Sequence, residues 1–314
     1  MNAFNYLVVN LTSRCNTICK YCFQAADSFK NGDDYITYEV FKKIIDYCKP
    51  KADIKDRKIV HFTGGEPLVN KDFFLMLKYA IDAGYVIRIQ TNGILINECK
   101  EEQLRLLSHP MVTMKISLDG TTPEQHEFLR QPGTFNKVVN AIRIATKYNK
   151  MVGLKTCIHS KNIDHFKELL DFCIDAGIAG FSYNVIRKEG FAERLDPTCY
   201  EGIDELEVVK RLVPLYNEKK YQFLLNGNQI SMYYFARHTG IACGAQFYID
   251  YDGKIYSYQQ CTPEQYIGDL QNDDWDTAFD AQKAQDLEYI IQTTEKVVNY
   301  VKKNLKLEMR RNVK

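Results

Sequence analysis

Over the first 190 positions, apolar residues fall into two alternating patterns. Short runs rich in β-branched and aromatic residues, Tyr6–Leu11, Lys58–Phe62, Tyr85–Gln90, Met111–Leu118, Met151–Ile158 and Gly180–Ile186, predict strands. Between them, Thr37–Cys48, Lys71–Ala83, Cys99–Ser108, Asn136–Tyr148 and Ile163–Ala176 place apolar residues at helical spacing. Thr37 stands where a side-chain N-cap belongs, and Gly84 and Gly177 stand just past helix ends, where a left-handed residue closes the last turn. Six strand–helix repeats predict an α/β fold with a parallel sheet. Right-handed crossovers then bring the C-terminal strand ends to one rim, the place where α/β barrels carry their active sites.

After about Arg187 the rhythm changes. Glu205–Lys219 predicts another helix, and Ile249–Tyr256 reads as a hairpin turning at Asp252-Gly253. A long helix is expected from about Trp275 or Ala281 onward. The expected organisation is a main domain over 1–190, a helical connection over 191–240 and an appendage over 241–314.

Charge adds little, since 41 Lys and Arg stand against 40 Asp and Glu among 314 residues. That balance gives no global field for nucleic acid or an acidic membrane. No signal peptide precedes the first strand and no run of about 18 apolar residues occurs, so a cytoplasmic chain without a membrane span is expected. Ten cysteines change the picture more. A reducing cytosol disfavours structural disulfides, so clustered cysteines there point to metal or catalysis.

Leu11-Thr-Ser-Arg-Cys15-Asn-Thr-Ile-Cys19-Lys-Tyr21-Cys22 sets three cysteines within eight residues, directly after the first strand. Such C-x3-C-x2-C spacing suits a cubane iron–sulfur cluster, whose usual ligands are thiolates. Three ligands leave one iron open to bind a reactant. Zinc is the chemical rival, but a structural zinc site wants a closed set of four, and no fourth Cys or His lies nearby. A second motif, His61-Phe-Thr-Gly64-Gly65-Glu66-Pro67, follows the second strand. Its glycines would let backbone run against a ligand, and its carboxylate could accept charge-assisted hydrogen bonds from an ammonium group. Gln90-Thr-Asn-Gly93 and Lys115-Ile-Ser117-Leu-Asp119 end the third and fourth strands.

Together these motifs resemble the radical S-adenosylmethionine (SAM) superfamily, whose signature is a C-x3-C-x-aromatic-C loop after the first strand of a partial (β/α)6 TIM-like barrel. The resemblance implies that Cys15, Cys19 and Cys22 hold a [4Fe-4S] cluster and act as the catalytic and metal-ligating residues. It places Tyr21 near the SAM adenine, and Gly64, Gly65, Glu66 and Pro67 at the SAM amino group. Ser117 and Arg130 would contact the SAM carboxylate, Asp119 would point toward substrate or ribose, and Asn184 could line the adenine pocket. Cys243-Gly-Ala, the hairpin, Cys261 and Ile267-Gly-Asp269 resemble the twitch or SPASM appendage of the peptide-modifying branch, a small hairpin-plus-helix module. Tyr258 stands where that pattern has a cysteine, and no cysteine follows Cys261. A cluster-free appendage is therefore expected, with one auxiliary iron–sulfur cluster on Cys243 and Cys261, aided by Cys199, as the rival. Cys48, Cys99, Cys157 and Cys173 read as small buried hydrophobes.

The resemblance further implies an enzyme abstracting hydrogen from a substrate C–H bond, and an electron donor of the flavodoxin or ferredoxin type. A ribosomally made peptide is the first reading of the substrate. A small molecule, an aminosugar or nucleotide, is the alternative, and a non-catalytic electron carrier is the reading from another class.

Overall fold

A computed structural model of the chain describes residues 4–24, 35–48, 58–225, 245–250, 252–256, 266–270, 273, 300, 303 and 304. Strands β1 (Phe4–Asn10), β2 (Ile59–Thr63), β3 (Val86–Thr91), β4 (Val112–Ser117), β5 (Val152–Ile158) and β6 (Gly180–Val185) pair in chain order, each parallel to the next. All six lie within two residues of the runs read from the sequence. Helices α1 (Tyr38–Tyr47), α2 (Phe73–Asp82), α3 (Glu101–Leu107), α4 (Pro123–His126), α5 (Phe135–Tyr148) and α6 (Phe166–Asp175) fill the crossovers. Thr37 caps α1 by accepting from Val40 N at 3.3 Å. Gly84 and Gly177 follow α2 and α6 with φ of +85° and +70°, conformations that cost glycine no Cβ strain.

One face of the sheet is apolar and covered by helices. Leu7, Val9, Val60, Phe62, Ile87, Ile89, Met114, Ile116 and Leu154 pack there against Phe41, Phe73, Leu77, Ile142 and Leu170. The alternate positions face the concave side and are largely polar: Asn10, His61, Arg88, Gln90, Lys115, Ser117, Lys155, Ser182 and Asn184. Because strand side chains alternate in direction, a sheet with helices on one face and polar groups on the other is an open partial barrel with a wet lumen.

The chain continues through α7 (Glu205–Tyr216) and α8 (Gln222–Leu225), then returns as β7 (Ala245–Ile249), β8 (Lys254–Tyr256) and β9 (Tyr266–Asp269). Strand β7 pairs parallel to β1, so the full order is β6-β5-β4-β3-β2-β1-β7-β8-β9. The C-terminal hairpin thus extends the main sheet and covers the β1 edge, which would otherwise offer unpaired backbone. Asp250 N donates to Lys254 O at 2.8 Å, so the turn is one residue longer than the two-residue turn that Asp252-Gly253 suggested. The helix expected from Trp275 onward, Cys243 and Cys261 lie outside the described residues. No described helix is long and apolar enough to cross a membrane.

Candidate active site

The rim at the C-terminal strand ends is built outward from β1 and β2. After β1 the cysteine loop turns across the barrel mouth, and the Gly64-Gly65-Glu66 loop docks beneath it. Gly65 N donates to Thr12 O at 2.7 Å, and Glu66 N donates to Arg14 O at 2.8 Å. A Cβ on Gly64 would meet Thr12 O at 2.4 Å, and one on Gly65 would meet Arg14 O at 2.2 Å. The glycines therefore admit the close approach of the cysteine loop. Gly64, at φ +128°, also takes a conformation that side chains rarely adopt.

Glu66 is buried and holds this loop to β3. Its carboxylate accepts from Thr91 Oγ1 at 2.7 Å, Asn92 N at 2.7 Å and Leu68 N at 3.2 Å. Burial raises its pKa to about 7 against the lowering effect of those donors. Pro67 follows as the first residue of a short 3-10 turn, where its missing N–H costs nothing.

Cys15, Cys19 and Cys22 form no disulfide and are each partly exposed. Burial raises the pKa of Cys15 and pushes that of Cys19 up to about 11, with Arg130 opposing the shift at Cys19. Asn92 Nδ2 approaches Cys15 Sγ at 3.8 Å, and Arg130 Nη1 approaches Cys19 Sγ at 3.9 Å. Asn92 also donates to Asn16 Oδ1 at 2.7 Å, so one side chain ties the loop to β3. From the other side the segment after α4 clamps the loop: Lys20 N donates to Leu129 O at 2.7 Å and Ile18 N to Gln131 Oε1 at 3.0 Å.

Asp119 and Arg130 form the buried centre of that clamp. Arg130 Nε and Nη2 donate to the two Asp119 oxygens at 2.5 and 3.3 Å. Tyr21 Oη donates to Asp119 Oδ2 at 2.7 Å, and Cys157 N to Oδ1 at 2.8 Å. Burial alone would raise the Asp119 pKa; the Arg130 charge and these hydrogen bonds outweigh it and hold the group ionised. Four donors occupy the carboxylate, and its side chain is fully buried. Asp119 therefore positions Arg130 and Tyr21. Tyr21 lies under the guanidinium, its ring centroid 5.5 Å from Arg130 Cζ.

Ser117 lies on the lumen face and accepts from Gln90 Nε2 at 3.1 Å; among the described residues it makes no hydrogen bond to Arg130. Asn184 is exposed at the end of β6, paired in register with Cys157. Cys48, Cys157 and Cys173 are buried as expected, while Cys99 is only partly buried. Cys199 packs with Cys157, Leu129, Ile186 and Ala192 in a small apolar cluster.

Sequence reasoning passed over Thr91 and Asn92 as individual residues, although it singled out their motif. It also passed over His126, which accepts from Asp119 N at 3.1 Å, and Asn162, which donates to Asp119 O at 2.7 Å. No spacing signal marks those two, since their roles arise only where strand ends meet.

The family model for the radical SAM superfamily matches residues 9–173, just over half of the chain. The chain belongs to the radical SAM superfamily. It is 27% identical over 206 residues to the AdoMet-dependent heme synthase of Methanosarcina barkeri, covering 64% of this chain and 57% of that protein. It is 31% identical over 182 residues to the GTP 3',8-cyclase of Aliarcobacter butzleri, covering 55% of this chain and 53% of that protein. The match thus spans little more than half the length of these relatives. Among solved structures it is similar to anSMEcpe with bound AdoMet, at TM-score 0.68 and 21% identity, covering 89% of this chain and 81% of that one. That likeness shows the fold, a mostly parallel open sheet ending in an antiparallel hairpin.

Membership of the superfamily implies a [4Fe-4S] cluster and SAM, and the residues present fit the cluster. Its three thiols sit on one loop with an N–H donor from Asn92 and another from Arg130 aimed at sulfur, contacts that tune iron–sulfur centres.

Proposed function

We propose that this radical SAM enzyme abstracts hydrogen from a substrate C–H bond within the barrel lumen. When bound, the cluster on Cys15, Cys19 and Cys22 would pass an electron to SAM at its open iron, releasing methionine and a 5′-deoxyadenosyl radical. The observation that carries this reading is the docking of the three-thiol loop onto Gly64-Gly65, with Arg130 and Asn92 directed at its sulfurs.

The chain's own residues supply the frame for that chemistry. The Gly64–Pro67 loop is the proposed seat of the SAM amino group, with Glu66 held in a buried pocket that favours an ammonium partner. Ser117 and Asn184, both on the lumen side, are the proposed contacts for the SAM carboxylate and adenine respectively. Arg130 and Tyr21, held by Asp119, keep Cys19 in place and border the same space. A flavodoxin or ferredoxin is the proposed electron donor.

The C-terminal sequence signals support a ribosomally made peptide as substrate, and anSMEcpe has been solved with AdoMet and a peptide. A small-molecule substrate is the second reading, favoured by the relative named GTP 3',8-cyclase and by the charge of the lumen. A cluster-free C-terminal region is the proposal, with one auxiliary cluster on Cys243 and Cys261 as its rival. The radical chemistry is tested by reconstituting the full chain without air, adding dithionite and SAM, and measuring 5′-deoxyadenosine. Release of that product is expected; a fully loaded protein that releases none overturns the reading.

A further inference from the structure

Below the rim, three cations share the concave face of neighbouring strands: Arg88 on β3, Lys115 on β4 and Lys155 on β5. Register links them through their neighbours, since Lys115 pairs with Gln90, two residues beyond Arg88, and Lys155 pairs with Ser117, two beyond Lys115. The three are close enough to oppose one another's charge. Arg88 lowers the pKa of Lys115, and Lys115 lowers that of Lys155, in each case after burial, which is the larger cause. Arg88 and Lys115 are exposed on the open concave face, and Lys155 is half-buried.

Nothing among the described residues neutralises this group. Neither lysine makes a hydrogen bond or an ion pair there, and Arg88 contacts only Tyr6, at 3.5 Å to its hydroxyl and 5.3 Å to its ring. The acid that acts on Lys155 is Glu205, already bound by Tyr183 Oη at 2.6 Å. His61, the fourth basic side chain here, is held neutral by burial and by these same cations. Gathering like charges on one concave face without a counter-charge sets up a positive field there, which favours an anionic ligand. Beside Arg88 on the same face, Tyr6, Val8, Tyr248 and Tyr256 form one largely aromatic cluster.

We propose that Arg88, Lys115 and Lys155 anchor an anionic group of the substrate, a phosphate or carboxylate, deep in the lumen. Lys155 and Lys115 precede the rim residues Cys157 and Asp119 by two and four positions. At a strand rise of about 3.3 Å per residue, the anchor lies roughly 7 to 13 Å beneath the rim. A substrate held there by its anionic end would lie along the aromatic cluster and present a carbon near the cysteine loop. This assignment rests on the radical SAM reading for what the lumen holds, and it concerns a different part of the barrel.

Isothermal titration calorimetry on the full chain, with inorganic pyrophosphate and with citrate as probes, tests the anchor. At least one probe is expected to bind once per chain, and Lys115→Met with Lys155→Met is expected to weaken it roughly tenfold or more. Methionine keeps most of each side chain's length while removing its charge and its N–H donors, and circular dichroism checks that the variant is folded. Tighter binding of pyrophosphate assigns the anchor to a phosphate, and tighter binding of citrate assigns it to a carboxylate. The proposal is overturned if neither probe binds, or if the folded double variant binds as the native chain does. Release of 5′-deoxyadenosine needs no anion, so its presence without anion binding sinks the anchor alone, and its absence with anion binding sinks the radical reading alone.

Discussion

At the scale of single residues, the site depends on close approach and on one saturated carboxylate. Gly65→Ala places a Cβ 2.2 Å from the Arg14 carbonyl, a backbone atom that can yield only if the cysteine loop moves. Overpacking of this kind costs about 1–3 kcal/mol, and here it falls on the loop that carries Cys15. The variant is expected to keep its barrel by far-ultraviolet circular dichroism and to hold less iron after reconstitution; normal iron content would refute the role given to the glycine. Asp119→Asn leaves Arg130 buried without its partner. Breaking a buried pair by removing one member costs about 3–5 kcal/mol, a loss that urea unfolding would register. The glycine pair and the cysteines were legible in the sequence because each sits in a contiguous motif. Asp119 was legible as a position but not as a role, because its four donors come from Tyr21, Arg130 and Cys157, brought together only by the barrel.

At the scale of elements, β2 is the keystone of the helix-covered face. Phe62 meets Phe41 of α1 and Phe73 of α2 edge to face, with ring centroids 5.5 and 5.9 Å apart. Phe62→Ala removes both contacts and should cost about 3–5 kcal/mol, read as a lower urea midpoint at unchanged slope. The lumen face behaves in the opposite sense. Burial, with repulsion from Lys115, lowers the Lys155 pKa from its ordinary value to about 8. Between about pH 8 and the ordinary lysine value the unfolded chain then binds more protons than the folded one, so this group makes stability rise with pH. Below pH 8 it is charged in both states and its full penalty is present. Lys155→Met is therefore expected to raise the melting temperature at pH 7, and the gain should shrink as pH rises past 8. A melting temperature that falls at pH 7 would show that the charge is compensated. The strands themselves were legible from their apolar runs. Their lumen charges were not, because a lysine in an alternating strand reads as a solvated face until the topology turns that face inward.

At the scale of the whole molecule, the order β6-β5-β4-β3-β2-β1-β7-β8-β9 puts the cysteine loop, the glycine loop and the lumen cations on one side of a single sheet. The six parallel strands follow from sequence periodicity within two residues and the five longer crossover helices within three, while the short α4 was not read. The return of β7 to pair with β1 does not, since long-range edge pairing leaves no local signal; the sequence suggested a separate appendage there. That return also brings Tyr248 and Tyr256 beside Tyr6, so the C-terminal hairpin contributes a wall to the lumen. The most direct test of the whole is electron paramagnetic resonance of the anaerobically reconstituted, dithionite-reduced chain, recorded with and without SAM. If three cysteines leave one iron open for SAM, the reduced cluster signal changes shape when SAM is added. A cluster signal that SAM leaves unaltered contradicts the account.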